Sequence, residues 1–282
     1  MPGTLFVVAT PIGNLEDVSA RALRILREVT LIAAEDTRRT AQLLARYAIT
    51  TPTTSLHEHN EGRKTNALVE RLRRGESIAL VSDAGTPTVS DPGRQLIRGA
   101  IEAGGRVESI PGPSAALAAL TTSGLPAETF TFLGFPPTRT SDRSRWFDQL
   151  RTAGRTVVFF EAPHRIRQTL EELLRNVGDV PIALGRELTK AHEETIRGTV
   201  SAVIGMLTAP KGEFTAVVDV GQLPQTSQDQ PKSDEDIGEQ FGELTNLKRL
   251  TRRAAVSELS RRFRIPAREV YAAIERSKKS VE

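Results

Sequence analysis

Short β-branched runs alternate with amphipathic, helically spaced stretches from Leu5 to Thr122, and that alternation leaves few folds open. The runs predicted as strands are Leu5–Ala9, Thr30–Ala34, Thr53–Leu56, Ile78–Val81 and Val107–Ile110. Between them, Ala20–Glu28, Thr40–Tyr47, Thr65–Arg74 and Arg94–Ala103 carry apolar residues at the spacing of one helix face. Strands that take turns with helices build an α/β domain around a mostly parallel sheet.

Within this half, Ile78–Gly93 (IALVSDAGTPTVSDPG) is a short apolar run, then a polar loop containing Gly85, then a helix with Leu96, Ile97, Ala100 and Ile101 on one face. A strand, a small-residue loop and a helix hold nucleotide-like ligands at the carboxyl ends of strands. Gly85 permits close backbone approach, and Asp83 and Asp91 supply fixed acceptors. The pattern recurs at Val107–Ile110, Pro111-Gly112-Pro113 and the small-residue helix Ser114–Thr122, which points to a composite cofactor cleft. Taken singly, each loop also reads as an ordinary β-to-α connection. Neither G-x-G-x-x-G nor G-x-x-x-x-G-K-[ST] occurs, which disfavours an NAD-type site and a P-loop.

A second strand series follows the break near Gly124-Leu125-Pro126: Thr129–Phe135, Val157–Phe160, Ile182–Arg186, Thr195–Arg197 and Phe214–Val220. Its helices, notably Arg165–Val177 and Val200–Leu207, are fewer, so a mixed sheet is expected. Residues 223–244 carry one basic and six acidic side chains with two prolines, and read as a flexible acidic linker. Helical spacing returns at Ala255, Val256, Leu259 and Phe263, breaks at Arg264-Ile265-Pro266, and resumes with Val270, Tyr271 and Ile274. The expected division is an α/β domain at 1–123, a second at 124–222, the linker at 223–244 and a helix-turn-helix-like tail at 245–282. That tail holds 11 basic and four acidic residues, whereas residues 1–222 are nearly neutral. Such a segment suits a polyanionic partner, and the same hairpin also serves as a packing or protein-docking element.

The chain has 282 residues, enough for two cores and a small appendage. Its lack of cysteine excludes disulfides and thiol nucleophiles and fits a reducing cytoplasm. No apolar run approaches the roughly 20 residues that span a bilayer, and Met1–Thr10 lacks a basic leader region. The expected location is therefore cytoplasmic, with no membrane partner.

Polar clusters follow five strand ends: Thr10–Asp17, Glu35–Arg38, His57–Glu61, Glu161–Arg165, and Gly185–Lys190 with His192-Glu193-Glu194. Charged residues recurring at the carboxyl edge of a sheet mark a binding site, although a residue such as Asp36 also suits a helix cap. His57 and His59, flanked by Glu58 and Glu61, invite a metal reading. With no third histidine nearby, hydrogen bonding to a polar substrate or a plain loop is preferred, and no metal is expected. A serine hydrolase is weaker still, since no G-x-S-x-G elbow exists.

In order, the runs ATPIGNLEDVSARAL, AAEDTRRT, LHEHNE, LVSDAGTPTVSDPG, IPGPSA, TSGLP, GFPP, FFEAPHR, GRELTKAHEE and KGEF resemble the ribosomal RNA small subunit methyltransferase I family of the tetrapyrrole methylase superfamily. The resemblance implies two α/β domains with S-adenosylmethionine between them, a homodimer, and 2′-O-methylation of a cytidine in the decoding region of 16S rRNA. Its motifs place cofactor contacts at Pro11, Gly13, Asp83, Ala84, Gly85, Thr86, Pro87, Pro111, Gly112 and Ser114. The basic tail is similar to the helix-turn-helix extension of some members.

Methyl transfer from a sulfonium needs alignment and exclusion of water more than covalent help. A ribose hydroxyl is a poor nucleophile, so a base or cationic neighbour must assist it. The candidate bases in the matching motifs are His57, His59, Glu161 and Glu187, unranked; Arg38, Arg165, Arg186 and Lys190 are candidates for holding phosphate. Two rivals are a methyltransferase of corrin or sirohaem precursors and a non-enzymatic RNA-binding assembly factor. The DAGTP loop disfavours the second; the basic tail and the HEHNE and EAPHR runs disfavour the first.

Overall fold

The computed structural model describes residues 2–207, 211–221, 233–246, 250–263 and 265–279. Strands β1 (Thr4–Val8), β2 (Leu31–Ala34), β3 (Thr53–Ser55), β4 (Ile78–Val81) and β5 (Arg106–Ile110) form a wholly parallel sheet in the order β3-β2-β4-β1-β5. All four residues of β2 and of β4 are buried, because helices cover both faces. Side chains alternate across the pleat. Ile78 and Leu80 join Leu68 and Leu72 of α3 (Glu61–Arg73) and Leu96 of α4 (Arg94–Glu102). Ala79 and Val81 face Ile25 and Leu26 of α1 (Ala20–Glu28) and Leu43 and Leu44 of α2 (Thr37–Arg46). Helix α2 begins three residues before the predicted start because Asp36 caps it, accepting the Arg38 N–H at 2.8 Å.

Helix α5 (Ala115–Ser123) starts at the Ser114 cap and stops at Gly124, whose φ of 76° is the left-handed conformation that ends helices. Its Ala116, Ala119 and Leu120 pack not on the first sheet but on Val158, Ala183 and Val217 of the second. That sheet runs β6 (Phe130–Phe132), β7 (Thr156–Glu161), β10 (Phe214–Asp219), β8 (Pro181–Arg186) and β9 (Glu194–Thr199). Only β6 and β7 are parallel, so the sheet is mixed, as expected. Its other face is covered by α6 (Thr140–Arg151), α7 (Ile166–Asn176) and α8 (Val200–Met206). Helix α6 was not legible in the chain, because Trp146, Phe147 and Leu150 alone of its residues are buried in an otherwise polar segment.

Residues 1–221 make one compact unit containing both sheets. The expected boundary at 123/124 therefore separates two sheets but not two packing units, since α5 precedes it in sequence and packs beyond it.

Residues 222–282 form a second compact unit. The expected linker is corrected here: α9 (Asp234–Asn246) occupies its last part. Ile237, Phe241 and Leu244 recur on one helix face and bury against Ala255, Val256, Leu259 and Phe263 of α10 (Arg252–Phe263) and Val270, Ala273 and Ile274 of α11 (Ala267–Lys279). Arg276 also forks onto Asp234 at 2.6 and 3.0 Å. Residues 223–232 of the expected linker, and 247–249, 264 and 280–282 of the tail, lie outside the described residues. No helix among the described residues is long and apolar enough to cross a membrane.

Candidate active site

The loops leaving β1 and β4 run side by side at the carboxyl edge of the first sheet. Thr10 and Gly85 exchange backbone hydrogen bonds of 2.9 and 3.0 Å, and the Thr10 hydroxyl donates to the Ser82 carbonyl at 3.2 Å. The Thr86 hydroxyl donates to the Pro113 carbonyl at 3.3 Å, tying in the loop after β5. Gly85 has φ of +84°, and a Cβ there would lie 3.3 Å from Ile12 Cγ2. Further along, Thr88 and Ser90 hold φ of 72° and 70°, a strained conformation for non-glycine residues that clusters at functional sites.

A cavity of about 430 Å³ opens between these loops and the second sheet. Ile12, Ala115, Phe160, Leu188 and Phe214 give it apolar surface; Glu35, Asp83 and Asp91 from the first half and Glu161 and Glu213 from the second give it carboxylates. Phe135 also lines it, 51% exposed and tilted against Phe160 with ring centroids 5.4 Å apart.

The first-half acids are linked. The Asp36 N–H donates to Asp83 Oδ1 at 2.9 Å, and the Asp83 N–H donates to Glu35 Oε2 at 3.2 Å. Arg39 Nη1 lies 3.5 Å from Asp83 Oδ2. Burial pushes the Glu35 carboxyl above its usual range; the Asp83 N–H opposes this and the neighbouring carboxylates reinforce it. Asp91 goes further: burial, then the Glu35 charge, push it up to about 7 against the Ser82 hydroxyl that stabilises its anion.

Of the sequence-predicted residues, Asp83, Ala84, Gly85, Thr86, Ser114 and Glu161 line this cavity. Glu161 is not free to act as a base. Its side chain is wholly buried and takes the Arg165 guanidinium at 2.6 Å, the Thr169 hydroxyl at 2.6 Å and the Ala162 N–H at 2.7 Å. Arg165 is thereby a positioning partner, not a phosphate clamp. Glu187 is occupied too, accepting from Lys190 Nζ at 2.9 Å and the Glu213 N–H at 3.0 Å. The Lys190 contact holds its pKa below the usual range, which leaves a weak base. Lys190 is shared with Glu213 at 3.1 Å, and Arg186 turns its Nε to the Lys211 carbonyl at 2.8 Å. Arg38 folds back on Asp36 at 2.7 Å, and that pair brings Asp36 down to about 2.

The histidines lie elsewhere. His57 Nε2 meets the Asn60 amide at 2.9 Å, His59 is exposed, and neither lines the cavity. Nearby Glu61 is a structural cap: its buried carboxylate accepts the Gly93 and Gln95 N–H groups at 3.0 and 2.7 Å, at the start of α4. Gly13 is a close-packing point, where a Cβ would lie 2.5 Å from Lys190 Cγ. Gly112 presses on Ala9, and Pro11, Pro87 and Pro111 shape the loops without lining the cavity. Arg39 and Phe135 were missed by sequence reasoning. Arg39 shared a motif with Arg38, and only the helical turn of α2 distinguishes which one reaches Asp83.

S-adenosylmethionine fits these residues. The cavity lies within the range of about 300–1,000 Å³ usual for small-molecule sites. It offers apolar surface for a purine, carboxylates for hydroxyls and a cation, and a glycine whose missing Cβ leaves room beside Ile12.

The fold and this cleft define a methyltransferase of the tetrapyrrole methylase class. The family model for Tetrapyrrole (Corrin/Porphyrin) Methylases matches residues 4–204. Two solved structures share the fold: a diphthine synthase (TM-score 0.61, 17% identity, covering 77% of this chain and 90% of that one) and a uroporphyrin-III C-methyltransferase from Thermus thermophilus complexed with S-adenyl homocysteine (TM-score 0.56, 20% identity, 77% and 98%). Ribosomal RNA small subunit methyltransferase I of Synechocystis sp. is 43% identical over 95% of this chain and 96% of its own length; that of Bacillus subtilis is 40% identical over 96% and 94%. The chain belongs to the ribosomal RNA small subunit methyltransferase I family, and its methyl donor is S-adenosylmethionine.

Proposed function

We propose that this enzyme methylates the 2′-hydroxyl of a cytidine ribose in the decoding region of 16S rRNA, on the small ribosomal subunit or its RNA. The observation that carries the substrate class is the near full-length likeness to two rRNA small subunit methyltransferases, which extends past the methylase domain into the C-terminal helices. The same kinship supports a homodimer working in the cytoplasm.

The bound cofactor supplies a methyl group already activated by a sulfonium. Gly85, Thr86, Ser114, Ile12 and Leu188 would hold it, with Glu35 and Asp83 meeting its hydroxyls or cationic end. The linked loops after β1, β4 and β5 keep these residues in place, so alignment is prepaid by the fold. The acceptor nucleotide then enters beside Phe135, whose exposed ring offers a stacking face for an unstacked base. Ribose-methylation mapping of 16S rRNA, with and without the protein, tests this reading. A methyl at one cytidine ribose is expected; no protein-dependent ribose methyl, or one on a base, overturns it.

A further inference from the structure

We propose that the RNA strand flanking the acceptor nucleotide lies across the starts of α3 and α4 and the loop before α6, with Arg63, Arg94 and Arg139 on its phosphates. This rests on the rRNA-methylation reading above, whichever atom of the nucleotide is methylated. Most arginines of the first compact unit are spent inside the fold: Arg38 on Asp36, Arg39 on Asp83, Arg98 on Glu102, Arg143 on Glu172 and Arg165 on Glu161. Arg63, Arg94 and Arg139 are exposed, and among the described residues their side chains make no hydrogen bond or ion pair. A guanidinium without an internal anion keeps its whole fork for a phosphate. The quoted motif runs LHEHNE, SDPG and GFPP each stop just short of one of these arginines, so no motif singled them out.

The three segments meet at the mouth of the cleft. Arg94 opens α4 directly behind Gly93, and Asp91 just before it lines the cavity. Arg63 is in the first turn of α3, which is fixed beside the start of α4. There the Glu61 carboxylate accepts the Gly93 and Gln95 N–H groups at 3.0 and 2.7 Å, and a Cβ on Gly62 would lie 3.5 Å from Gln95 Oε1. Ser90, also lining the cavity, would lie with its Oγ 3.3 Å from a Cβ on Gly134, which brings up the loop carrying Phe135 and Arg139. That loop is pinned at successive carbonyls. The Phe160 N–H donates to Gly134 at 2.9 Å, Arg165 Nη2 to Pro136 at 3.2 Å and Arg143 Nη1 to Pro137 at 3.1 Å. Phe135 is therefore ordered before any contact is made, which lowers the entropic cost of binding.

The charge on this surface favours a polyanion. Glu61 is buried under the two N–H groups it caps, Asp142 of α6 takes Arg145 at 2.5 Å, and Asp91 faces the cleft. Glu58 is exposed, which leaves three arginines against one acid. An exposed ring among such cations suits single-stranded RNA, whose base stacks on the aromatic face while the backbone follows the charges.

The test measures binding of 16S rRNA, and separately of small ribosomal subunits, across a range of salt. Calorimetry with S-adenosylhomocysteine and thermal unfolding are run on the same preparations. The triple variant Arg63→Gln, Arg94→Gln, Arg139→Gln is expected to bind both probes at least roughly tenfold more weakly, with the log–log salt slope lower by about 2, or roughly 0.7 for each single-strand phosphate released. Its S-adenosylhomocysteine affinity and melting temperature should match wild type, because all three side chains are exposed. Phe135→Leu is expected to lose roughly tenfold in affinity with the slope unchanged, since stacking carries no charge. A control that removes as many charges elsewhere, Arg24→Gln with Arg73→Gln and Arg151→Gln, should keep nearly the wild-type affinity. Wild-type affinity and slope for 16S rRNA in the first triple variant would overturn the proposal, as would an equal loss in the control. Loss confined to whole subunits would overturn it too, by making the surface a contact for ribosomal protein. If wild type binds neither probe, the functional reading falls and this proposal with it; if it binds both but methylates a base, the ribose reading alone falls.

Discussion

Gly13, in the loop after β1, meets Lys190, in the loop after β8, so closely that a Cβ on the glycine would lie 2.5 Å from Lys190 Cγ. Thr189 Oγ1 and the Leu188 carbonyl would lie 2.7 and 2.9 Å from it, and the Asn14 N–H already donates to Thr189 Oγ1 at 3.0 Å. This is a joint between the two sheets' loops, and the Leu188 side chain beside it lines the cleft. Gly13→Ala is expected to cost about 1–3 kcal/mol, since a backbone carbonyl has to shift. Thermal unfolding checks it, and an unchanged melting temperature would mean the joint yields freely.

Breaking the Glu161–Arg165 pair should damage structure before chemistry. Removing one partner of a buried pair leaves the other charge uncompensated and costs about 3–5 kcal/mol; the lower end applies because Arg165 is partly exposed. Glu161→Ala is expected to lower the melting temperature and to weaken S-adenosylmethionine binding and turnover together. Turnover abolished with stability and cofactor affinity intact would return Glu161 to the chemistry.

Gly85→Val probes the cofactor loop. Its φ of +84° disfavours a β-branched residue, and the added methyls point towards Ile12 in the cleft. Calorimetry is expected to show S-adenosylmethionine affinity lowered by about tenfold or more, while circular dichroism keeps its folded spectrum. Affinity unchanged would remove this loop from the site.

Asp91 also sets a pH dependence of stability. Its ordinary pKa is 3.8 and the fold raises it to about 7. Between those values the folded state binds more protons than the unfolded chain, so ionising Asp91 costs stability as pH rises and the full cost is present above the window. Asp91→Asn removes that cost. Its advantage over wild type should grow from about pH 4 to about pH 7 and then level off, reaching on the order of 1–2 kcal/mol after allowance for solvent screening of a partly exposed carboxyl. Scanning calorimetry across this range checks it; an advantage independent of pH would refute it.

The C-terminal helices should be removed as a unit. Cutting at residue 245 would leave α9 without the partners that bury Ile237, Phe241 and Leu244. From residue 233 onward there are eleven basic and nine acidic residues, so the acidic α9 offsets most of the tail's charge. Deleting residues 233–282 is expected to weaken RNA binding and flatten its salt dependence, by about 0.7–0.9 in log–log slope for each phosphate no longer neutralised. S-adenosylmethionine affinity should not change. An unaltered salt slope would make the unit a protein-docking or packing element.

The first sheet was legible because its information is local. Ile78–Val81 is apolar at every position, its flanking helices keep a 3.6-residue spacing, and a parallel sheet is the arrangement that buries both faces of such strands. The glycine loops were legible for the same reason, since Gly85 and Gly124 answer a backbone demand that their neighbours in the chain reveal. What lay out of reach was pairing between distant segments. Nothing local inserts β10 between β7 and β8, or turns α5 away from its own sheet. Ile237, Phe241 and Leu244 are too sparse in a polar run to announce a helix until α10 and α11 supply the surface that buries them. The site residues divide in the same way. Motif and composition brought His57, His59, Glu161 and Glu187 forward as equals, with Asp91 read only as an acceptor in the glycine loop. Tertiary contacts decided among them, giving Glu161 to Arg165, Glu187 to Lys190 and His57 to Asn60, and leaving Asp91 in the cleft beside Glu35. A carboxylate's proton affinity depends on what surrounds it in space, and sequence order does not encode that neighbourhood.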